Sequence, residues 1–139
     1  MTSHVFLDTN VLLDYFLARD PHGRSAAQII HWAASHKLRA STSAVSFCNI
    51  AYILGRLEKT RIIEKDLSEL LGFVSVIPNT AAMLGTALDM ALPDYEDSVQ
   101  YASALQGKCA YLVTANKRHF HKCSIPVLDP TEFVRNFAL

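Results

Sequence analysis

The sequence predicts an α/β domain of three layers, in which helices cover both faces of a central, mainly parallel sheet of four to five strands. Short apolar runs alternate along the chain with longer segments whose apolar residues recur at helical spacing. The chain has 139 residues, 50% of them hydrophobic, which is enough for one domain with its own core. We therefore expect a single domain over residues 1–139.

Five segments are predicted as strands. Val5 to Leu7 form an apolar run that is too short for a helix and is typical of a strand buried on both faces. Such strands usually run parallel to their neighbours and are joined by helical crossovers. The other predicted strands are 38–42, 73–77, 111–114 and 126–128.

The segments between the strands are predicted as single or paired helices. Ser43 and Thr80 are suited to N-caps, whereas Gly72 and Gly107 are expected to end helices. The segment 129–132 predicts a capping box with proline at the first helical position. The predicted helices are 11–17, 24–36, 44–58, 60–71, 80–92, 94–105 and one that begins after Asp129.

Charge composition argues against a chain-wide surface for nucleic acid. The 13 basic and 13 acidic residues give a net charge of zero. A polyanion would therefore have to be held by local basic patches or by bound metal. Lys117, Arg118 and Lys122 are candidate phosphate contacts, although a run this short is also typical of plain solvated surface.

Apolar patterning and cysteine usage bear on the compartment. No apolar run approaches the roughly 18 residues of a membrane span, and the N-terminus lacks the pattern of a secretory leader. Cys48, Cys109 and Cys123 are odd in number and show no C-x-x-C spacing, so we expect reduced thiols. These features predict a cytoplasmic protein without a membrane partner.

An acidic residue directly follows the first predicted strand. Asp8 would lie at the carboxyl end of the sheet, the edge at which open parallel α/β sheets bind ligands. An aspartate followed by Thr9 and Asn10 also suits an Asx-turn or a helix N-cap, so the position alone leaves both interpretations open. A second carboxylate that reaches the same place would favour a functional site.

A second acidic group, formed by Asp94, Glu96 and Asp97, begins a later helix. Asp94 and Asp97 are spaced i, i+3 and therefore share one face of the first helical turn. Acidic residues at this position complement the helix dipole, and one of them can serve as the cap. Carboxylates this close also repel one another. A divalent cation bound between them would remove this repulsion by coordinating their oxygens. Cap and metal ligand both remain open for this cluster.

Three stretches of the chain resemble, in order, the signature segments of PIN domains. They are Phe6-Leu-Asp-Thr-Asn-Val-Leu-Leu-Asp14, Glu96-Asp-Ser-Val-Gln-Tyr-Ala-Ser-Ala104 and Tyr111-Leu-Val-Thr-Ala-Asn116. The helix over 43–54 is similar to the one that bears the family's second acidic position. The resemblance implies a three-layer PIN-like fold and a Mg²⁺- or Mn²⁺-dependent ribonuclease, the activity of VapC-type toxins in bacterial toxin–antitoxin pairs. It also implies RNA as substrate, an antitoxin protein as partner and a homodimer.

The resemblance carries over residue by residue to two carboxylates, and two neighbouring acids are expected to act beside them. Asp8 matches the first metal-binding acid of the family and Asp97 the third. Asp94 would be a further metal ligand, and Asp94 or Glu96 would orient the attacking water as a base. These four residues are the expected catalytic set.

Two positions depart from the family pattern. Asn49 stands where the family usually has a glutamate, and Asn116 where it often has an aspartate. A neutral ligand in place of a charged one weakens cation binding, because Mg²⁺ favours charged oxygen ligands. The residues expected to position the ligands or the substrate are Asn10, Asn49, Thr114, Asn116, Lys117 and Arg118.

Two other functions stay open. One is a PIN-like module that binds RNA or a protein partner without cutting, motivated by Asn49 and Asn116. The other is a receiver-like signalling domain, motivated by the acidic strand end and by Thr114 followed by Lys117. Against the receiver, its phosphate-accepting aspartate should follow a middle strand, whereas strand 73–77 ends in Pro78.

One further pattern concerns metals of another kind. His119, His121 and Cys123 alternate as transition-metal ligands can, but too few ligands are gathered for a structural zinc site. None of the three thiols is marked by its sequence neighbours as an activated nucleophile. We therefore assign no chemistry to this stretch.

Overall fold

A computed structural model describes residues 3–137 of the chain. Within these residues five strands form one sheet: β1 (His4–Leu7), β2 (Arg39–Ser43), β3 (Val74–Ile77), β4 (Tyr111–Val113) and β5 (Val127–Leu128). Their order is β3-β2-β1-β4-β5, and every pair of neighbours is parallel. The prediction of a mainly parallel sheet of four to five strands is confirmed.

Helices cover both faces of this sheet, as predicted. They are α1 (Thr9–Leu17), α2 (Gly23–Ala34), α3 (Ala44–Leu57), α4 (Ile63–Phe73), α5 (Ala81–Leu88), α6 (Tyr95–Gln106) and α7 (Pro130–Asn136), with a 3₁₀ turn at Lys117–Phe120. Helices α1 to α4 and α7 share one core cluster, which includes Ile50 and Phe133. Helices α5 and α6 and the 3₁₀ turn pack in a second cluster through Met83, Tyr101 and Phe120. The result is a three-layer arrangement.

The middle strand β1 is buried on both faces. Val5 and Leu7 belong to the first core cluster and Phe6 to the second, and all three are 0% exposed. This alternation follows the two-residue period of a strand and confirms the interpretation of the short apolar run. The strand is therefore a rigid support for Asp8, the residue that follows it.

The predicted caps are present. Ser43 and Thr80 each accept a hydrogen bond from a backbone N–H in the first turn of α3 and α5. Asp129 and Glu132 form the expected capping box at the start of α7. These starts are encoded locally, because a cap needs only residues within one turn.

Both predicted boundaries of α4 are wrong. The helix begins at Ile63 rather than at Thr60, because Arg61 anchors the preceding loop to the end of α1 with a 2.6 Å hydrogen bond to the carbonyl oxygen of Phe16. It also continues through Gly72, which was expected to end it. A glycine permits a helix end but does not impose one.

The helix expected over 80–92 ends at Leu88. The backbone N–H groups of Asp89 and Met90 bond to carbonyls three residues earlier, a tight turn that is typical of a helix end. The turn brings Met90 and Leu92 against the second core cluster. Packing of these side chains, rather than Pro93, decides where the helix stops.

The chain leaves the middle of the sheet on opposite faces. Helix α1 follows β1 on one face, whereas α5 and α6 lead to β4 on the other. In a doubly wound sheet this switch point opens a crevice at the carboxyl ends of the strands. Asp8 and Thr114 follow β1 and β4 directly and so lie at that crevice. The strand order also differs from the 2-1-3-4-5 order of flavodoxin-like signalling domains, which removes the receiver-like alternative.

None of the helices within residues 3–137 combines the length and the apolar character needed to cross a bilayer. The three cysteines are free thiols, with Cys48 exposed, Cys123 half-buried and Cys109 buried. Burial raises the pKa of Cys109 and of Cys123 to about 11. Both therefore remain protonated at neutral pH, which agrees with the absence of an activated nucleophile at these two positions.

Candidate active site

A pocket of about 240 Å³ lies at the carboxyl edge of the sheet. Asp8 reaches it from the end of β1, and Asp94, Glu96 and Asp97 reach it from the start of α6. We name this cavity the acidic pocket. The fold thus brings together the four carboxylates that were expected to share a site. The other residues of its wall are Thr9, Asn10, Leu13, Ile53, Asn116 and His119.

Four hydrogen-bond donors hold Asp8. The backbone N–H of Thr9 and the amide of Gln100 donate to Oδ1 at 2.8 and 3.0 Å. The hydroxyl of Thr114 and the amide of Asn10 donate to Oδ2 at 2.8 and 3.3 Å. An ionised carboxylate accepts about four hydrogen bonds, so these donors fix its orientation. Asp8 is the N-cap of α1, which confirms that interpretation, and it is also part of the pocket wall, where ligand binding stays a prediction.

Asn10 and Thr114 tie the ends of β1 and β4 to each other. Asn10 Oδ1 accepts a hydrogen bond of 3.0 Å from the backbone N–H of Ala115, and its amide nitrogen lies 3.3 Å from Thr114 Oγ1. Thr114 is fully buried (0% exposed). Both side chains contact Asp8, which is consistent with the positioning role expected of them.

Gln100 is a site residue that sequence reasoning missed. Its side chain, on α6, is 0% exposed and bonds to Asp8, Ser43 and Ser46. The available signal was an amide three residues after Asp97, in a helix otherwise rich in small and apolar residues. A buried amide requires partners, but the sequence does not say which ones.

Asp94 caps α6. Its Oδ1 accepts a hydrogen bond of 2.8 Å from the backbone N–H of Glu96. The cap interpretation of the acidic cluster is therefore confirmed for Asp94, which also lines the acidic pocket. The side chains of Glu96 and Asp97, in the first turn of the helix, do not serve as the cap.

Burial and neighbouring negative charge raise the pKa of two carboxylates in the acidic pocket. Burial, followed by the charges of Asp8 and Asp94, raises the pKa of Asp97 from 3.8 to about 6. Burial and the same two charges also raise the pKa of Glu96. Negative charge is thus concentrated in a partly desolvated site, and a bound cation would relieve the repulsion.

The donor chemistry of the acidic pocket fits a hard divalent cation, since carboxylate oxygens are the ligands that Mg²⁺ and Mn²⁺ prefer. Asp97 Oδ2 is buried and accepts no hydrogen bond, so it is an acceptor that an ion would satisfy. His119 Nδ1 lies 3.2 Å from this oxygen and works against the rise of the Asp97 pKa. Within residues 3–137, no group of three or more His, Cys, Asp or Glu side chains is placed so that it could hold a metal ion by itself. Water would therefore complete the coordination, as is usual for Mg²⁺.

The two asparagines that replace expected acids both reach the site. Asn49, on α3, donates a hydrogen bond of 2.7 Å to Glu96 Oε1, which works against the rise of the Glu96 pKa. Asn116 lines the acidic pocket, and its backbone N–H donates to Thr114 Oγ1 at 3.1 Å. Each one contacts another site residue, as expected for positioning groups.

Of the basic residues predicted to contact the substrate, neither Lys117 nor Arg118 belongs to the pocket wall as the structure describes it. Lys117 Nζ instead lies 2.6 Å from Glu132 Oε1 in an exposed ion pair with α7. Arg118 is exposed. His119, to which the sequence assigned no role, is the residue of this 3₁₀ turn that lines the pocket.

The chain is similar to known proteins over most of its length. A family model described as PIN domain matches residues 4–118. Ribonuclease VapC1 of Aquifex aeolicus is 28% identical over 134 residues, which cover 93% of this chain and 92% of that protein.

Solved structures share the fold. A toxin-antitoxin complex from Klebsiella pneumoniae contains a chain that matches with a TM-score of 0.69 at 18% identity, over 91% of this chain and 97% of that one. VapBC2 from Rickettsia felis, bound to a DNA fragment from the promoter, matches with a TM-score of 0.67 at 16% identity, also over 91% and 97%. Because the family model spans most of the chain, this protein belongs to the PIN domain family.

Proposed function

We propose that this PIN domain is a divalent-metal-dependent endoribonuclease and the toxin of a toxin–antitoxin pair. The observation that carries the proposal is that Asp8 and Asp97, which are far apart in the sequence, line the same acidic pocket. Similarity to a protein named Ribonuclease VapC1 supports the reaction class. Similarity to chains of toxin-antitoxin complexes supports the biological setting.

Asp8, Asp97 and Asp94 are the residues we assign to holding the cation. Bound there, Mg²⁺ or Mn²⁺ would neutralise the charge of a phosphodiester and lower the pKa of a water ligand. Asp97 supplies a buried Oδ2 that accepts no hydrogen bond and lies 3.2 Å from His119 Nδ1. On Asp8, a cation would compete first with Asn10, the most distant of the four donors at 3.3 Å and itself part of the pocket wall.

Glu96 is the residue we assign to orienting the attacking water. Its Oε1 is held by the amide of Asn49, which limits the rotation of the carboxylate. A base works best when its pKa lies near the working pH, and burial together with the charges of Asp8 and Asp94 moves the pKa of Glu96 upward.

We further propose RNA as the substrate, and an antitoxin protein and a second copy of the chain as partners in the cytoplasm. The exposure of several large apolar side chains supports the proposal of protein partners, because such side chains are usually buried. Tyr52 and Leu57 on α3 are 63% and 60% exposed, and Leu88 at the end of α5 is 73% exposed. Apolar surface of this kind is typical of interaction sites when it is contiguous.

A second function is favoured by Asn49 and Asn116. Both put a neutral amide where a metal-binding acid was expected, and no complete group of three ligands is gathered within residues 3–137. A site of this kind holds cations weakly. The alternative is a PIN domain that binds RNA or a protein without cutting it.

RNA cleavage with purified protein tests both functions. Wild-type protein and Asp97→Asn are incubated with RNA and Mg²⁺ or Mn²⁺, with a chelator in parallel. We expect cleavage only by the wild type and only with metal. Equal cleavage by both proteins would reveal a contaminant and remove the support for a nuclease. RNA retained in a gel-shift assay but not cut by either protein would favour the binding module.

A further inference from the structure

A single buried amide joins the two halves of the acidic pocket. Gln100 is 0% exposed and lies between the end of β1, the start of α3 and its own helix α6. We infer that Gln100 is a positioning residue: it holds Asp8 in the orientation needed for cation binding and ties it to the helix that carries Asp97. This inference rests on the proposed function of the acidic pocket.

The hydrogen bonds of the Gln100 amide are complete. Its Nε2 donates to Asp8 Oδ1 at 3.0 Å and to Ser46 Oγ at 2.9 Å, which uses both amide hydrogens. Its Oε1 accepts a hydrogen bond from the hydroxyl of Ser43. Thr9 extends the network, since its hydroxyl lies 2.8 Å from Ser46 Oγ. A fully satisfied polar network in a buried site is rigid, because each broken bond would leave an unpaired group.

The chemistry of the neighbours decides which way the amide faces. An ionised carboxylate is only an acceptor, so Asp8 requires the nitrogen of Gln100 on its side. The hydroxyl of Ser43 then donates to the oxygen on the other side. The orientation of the amide is thus set by two partners from different elements of the fold, and Asp8 receives a donor that cannot be exchanged for an acceptor.

Because Gln100 lies on α6, its hydrogen bond to Asp8 also affects the position of the carboxylates on that helix. Residues three and four apart share a helix face, so Gln100 stands one turn beyond Glu96 and Asp97. Its bond to Asp8 therefore sets the spacing between the carboxylate of β1 and the carboxylates of α6. A divalent ion tolerates little variation in the distances between its ligands, and groups that orient a ligand affect affinity strongly.

Filling space does not explain the amide. A methionine has a similar length and shape and would fill the same volume without any hydrogen-bonding requirement. A buried amide is costly unless its partners are in place, and here one of the two hydrogen bonds that it donates goes to Asp8 and the other to Ser46. Gln100 therefore has a role in the acidic pocket that an apolar side chain cannot supply.

Binding of Mn²⁺, followed by electron paramagnetic resonance of the free ion, tests this role without reference to activity. We expect Gln100→Met to weaken Mn²⁺ binding by about 10- to 100-fold, the range found when a group that orients a metal ligand is removed. The matched control is Ser103→Ala. This change also removes a buried hydroxyl from α6, one that is hydrogen-bonded to Val99 and Asn79. Both variants should melt earlier than the wild type in chelator, but only Gln100→Met should lose affinity. In RNA cleavage at limiting metal, Gln100→Met should lower kcat and leave the KM for RNA unchanged.

Ser43→Ala is the second variant, because Gln100→Met leaves several buried groups unpaired and is the more disruptive change. Loss of the Ser43 hydroxyl leaves the amide oxygen of Gln100 without its donor and loosens the amide, so we expect a smaller loss of Mn²⁺ affinity, about tenfold, at the low end of such effects. Thr80→Ala removes an equivalent N-cap from α5 and should leave affinity unchanged. Unchanged affinity in Ser43→Ala and in folded Gln100→Met would overturn this inference while the wild type still binds Mn²⁺. A wild type that binds no Mn²⁺ would overturn the proposed function itself, and this inference with it.

Discussion

The amide of Asn49 donates a hydrogen bond of 2.7 Å to Oε1 of Glu96. This contact joins α3 to α6 at the position where a glutamate was expected from the resemblance to PIN domains. An amide and a carboxylate attract each other without a cation, whereas two ionised carboxylates repel each other unless a cation lies between them. The substitution thus replaces a bridge that needs metal by one that does not.

We expect Asn49→Glu to tighten Mn²⁺ binding by about tenfold, equivalent to about 1.4 kcal/mol, because it adds a charged oxygen ligand beside Glu96. In chelator the same variant should melt earlier than the wild type, since the two carboxylates then repel each other. Metal titration followed by thermal melting measures both effects. Asn49→Gln keeps a neutral amide and serves as the control, and equal responses from the two variants would contradict the prediction.

The raised pKa of Asp97 predicts a pH-dependent cost in the metal-free protein. The folded state binds this proton more tightly than the unfolded chain does, so stability falls as the pH rises from 3.8 to about 6, and the full cost is present above that range. We expect Asp97→Asn to melt a few degrees higher than the wild type at pH 7.5 in chelator, since about 1 kcal/mol moves the midpoint of such a domain by roughly 3–5 °C. The difference should shrink towards pH 4. A gap between the two melting curves that is the same at both pH values would be incompatible with this origin.

The two neighbouring basic residues should differ in their effect on RNA. The ammonium of Lys117 is paired with Glu132, whereas Arg118 is exposed. In an Asp97→Asn background, chosen because we expect it to prevent cleavage, Arg118→Gln should weaken RNA binding several-fold at low salt and reduce the salt dependence by about one ion. Lys117→Gln should change both quantities less. Filter binding over a range of salt concentrations measures them, and equal losses from the two variants would speak against a selective phosphate contact by Arg118.

Two glycines should respond to alanine in opposite directions. At Gly85, on the exposed side of α5, an added Cβ meets no atom within 4 Å, so Gly85→Ala should raise the free energy of unfolding by about 0.5–1 kcal/mol. At Gly23 the Cβ would lie 2.8 Å from the carbonyl carbon of Ala18, whose backbone cannot move freely. We expect Gly23→Ala to lower the free energy of unfolding by about 1–3 kcal/mol. Urea unfolding of both variants measures the difference, and a stabilised Gly23→Ala would contradict the close approach of Gly23 to the backbone of Ala18.

Much of the fold could be predicted because its signals are short. The buried strand before Asp8, the caps at Ser43 and Thr80, and the capping box at 129–132 each depend on residues within one or two turns of chain. The boundaries of α4 could not be predicted in the same way. The start of this helix depends on Arg61, whose partner Phe16 lies in a different helix.

The candidate site likewise contains residues that could be named from the sequence and residues whose roles depend on distant partners. Asp8, Asp94, Glu96 and Asp97 could be named from their residue type and their places at element ends. The roles of Gln100 and His119 depend on which distant groups they meet, and Lys117 meets an acid of α7 rather than the acidic pocket. A side chain's partner across the fold is set by packing, which leaves no local pattern to recognise.

By itself, the sequence determined the layers, the parallel sheet and the identity of the carboxylates, because periodicity and caps act over a few residues. Only the tertiary structure decided that those carboxylates share one pocket and that a buried amide joins them. Those contacts connect residues from different elements, and they exist only once the sheet order has brought the ends of β1 and β4 beside the start of α6.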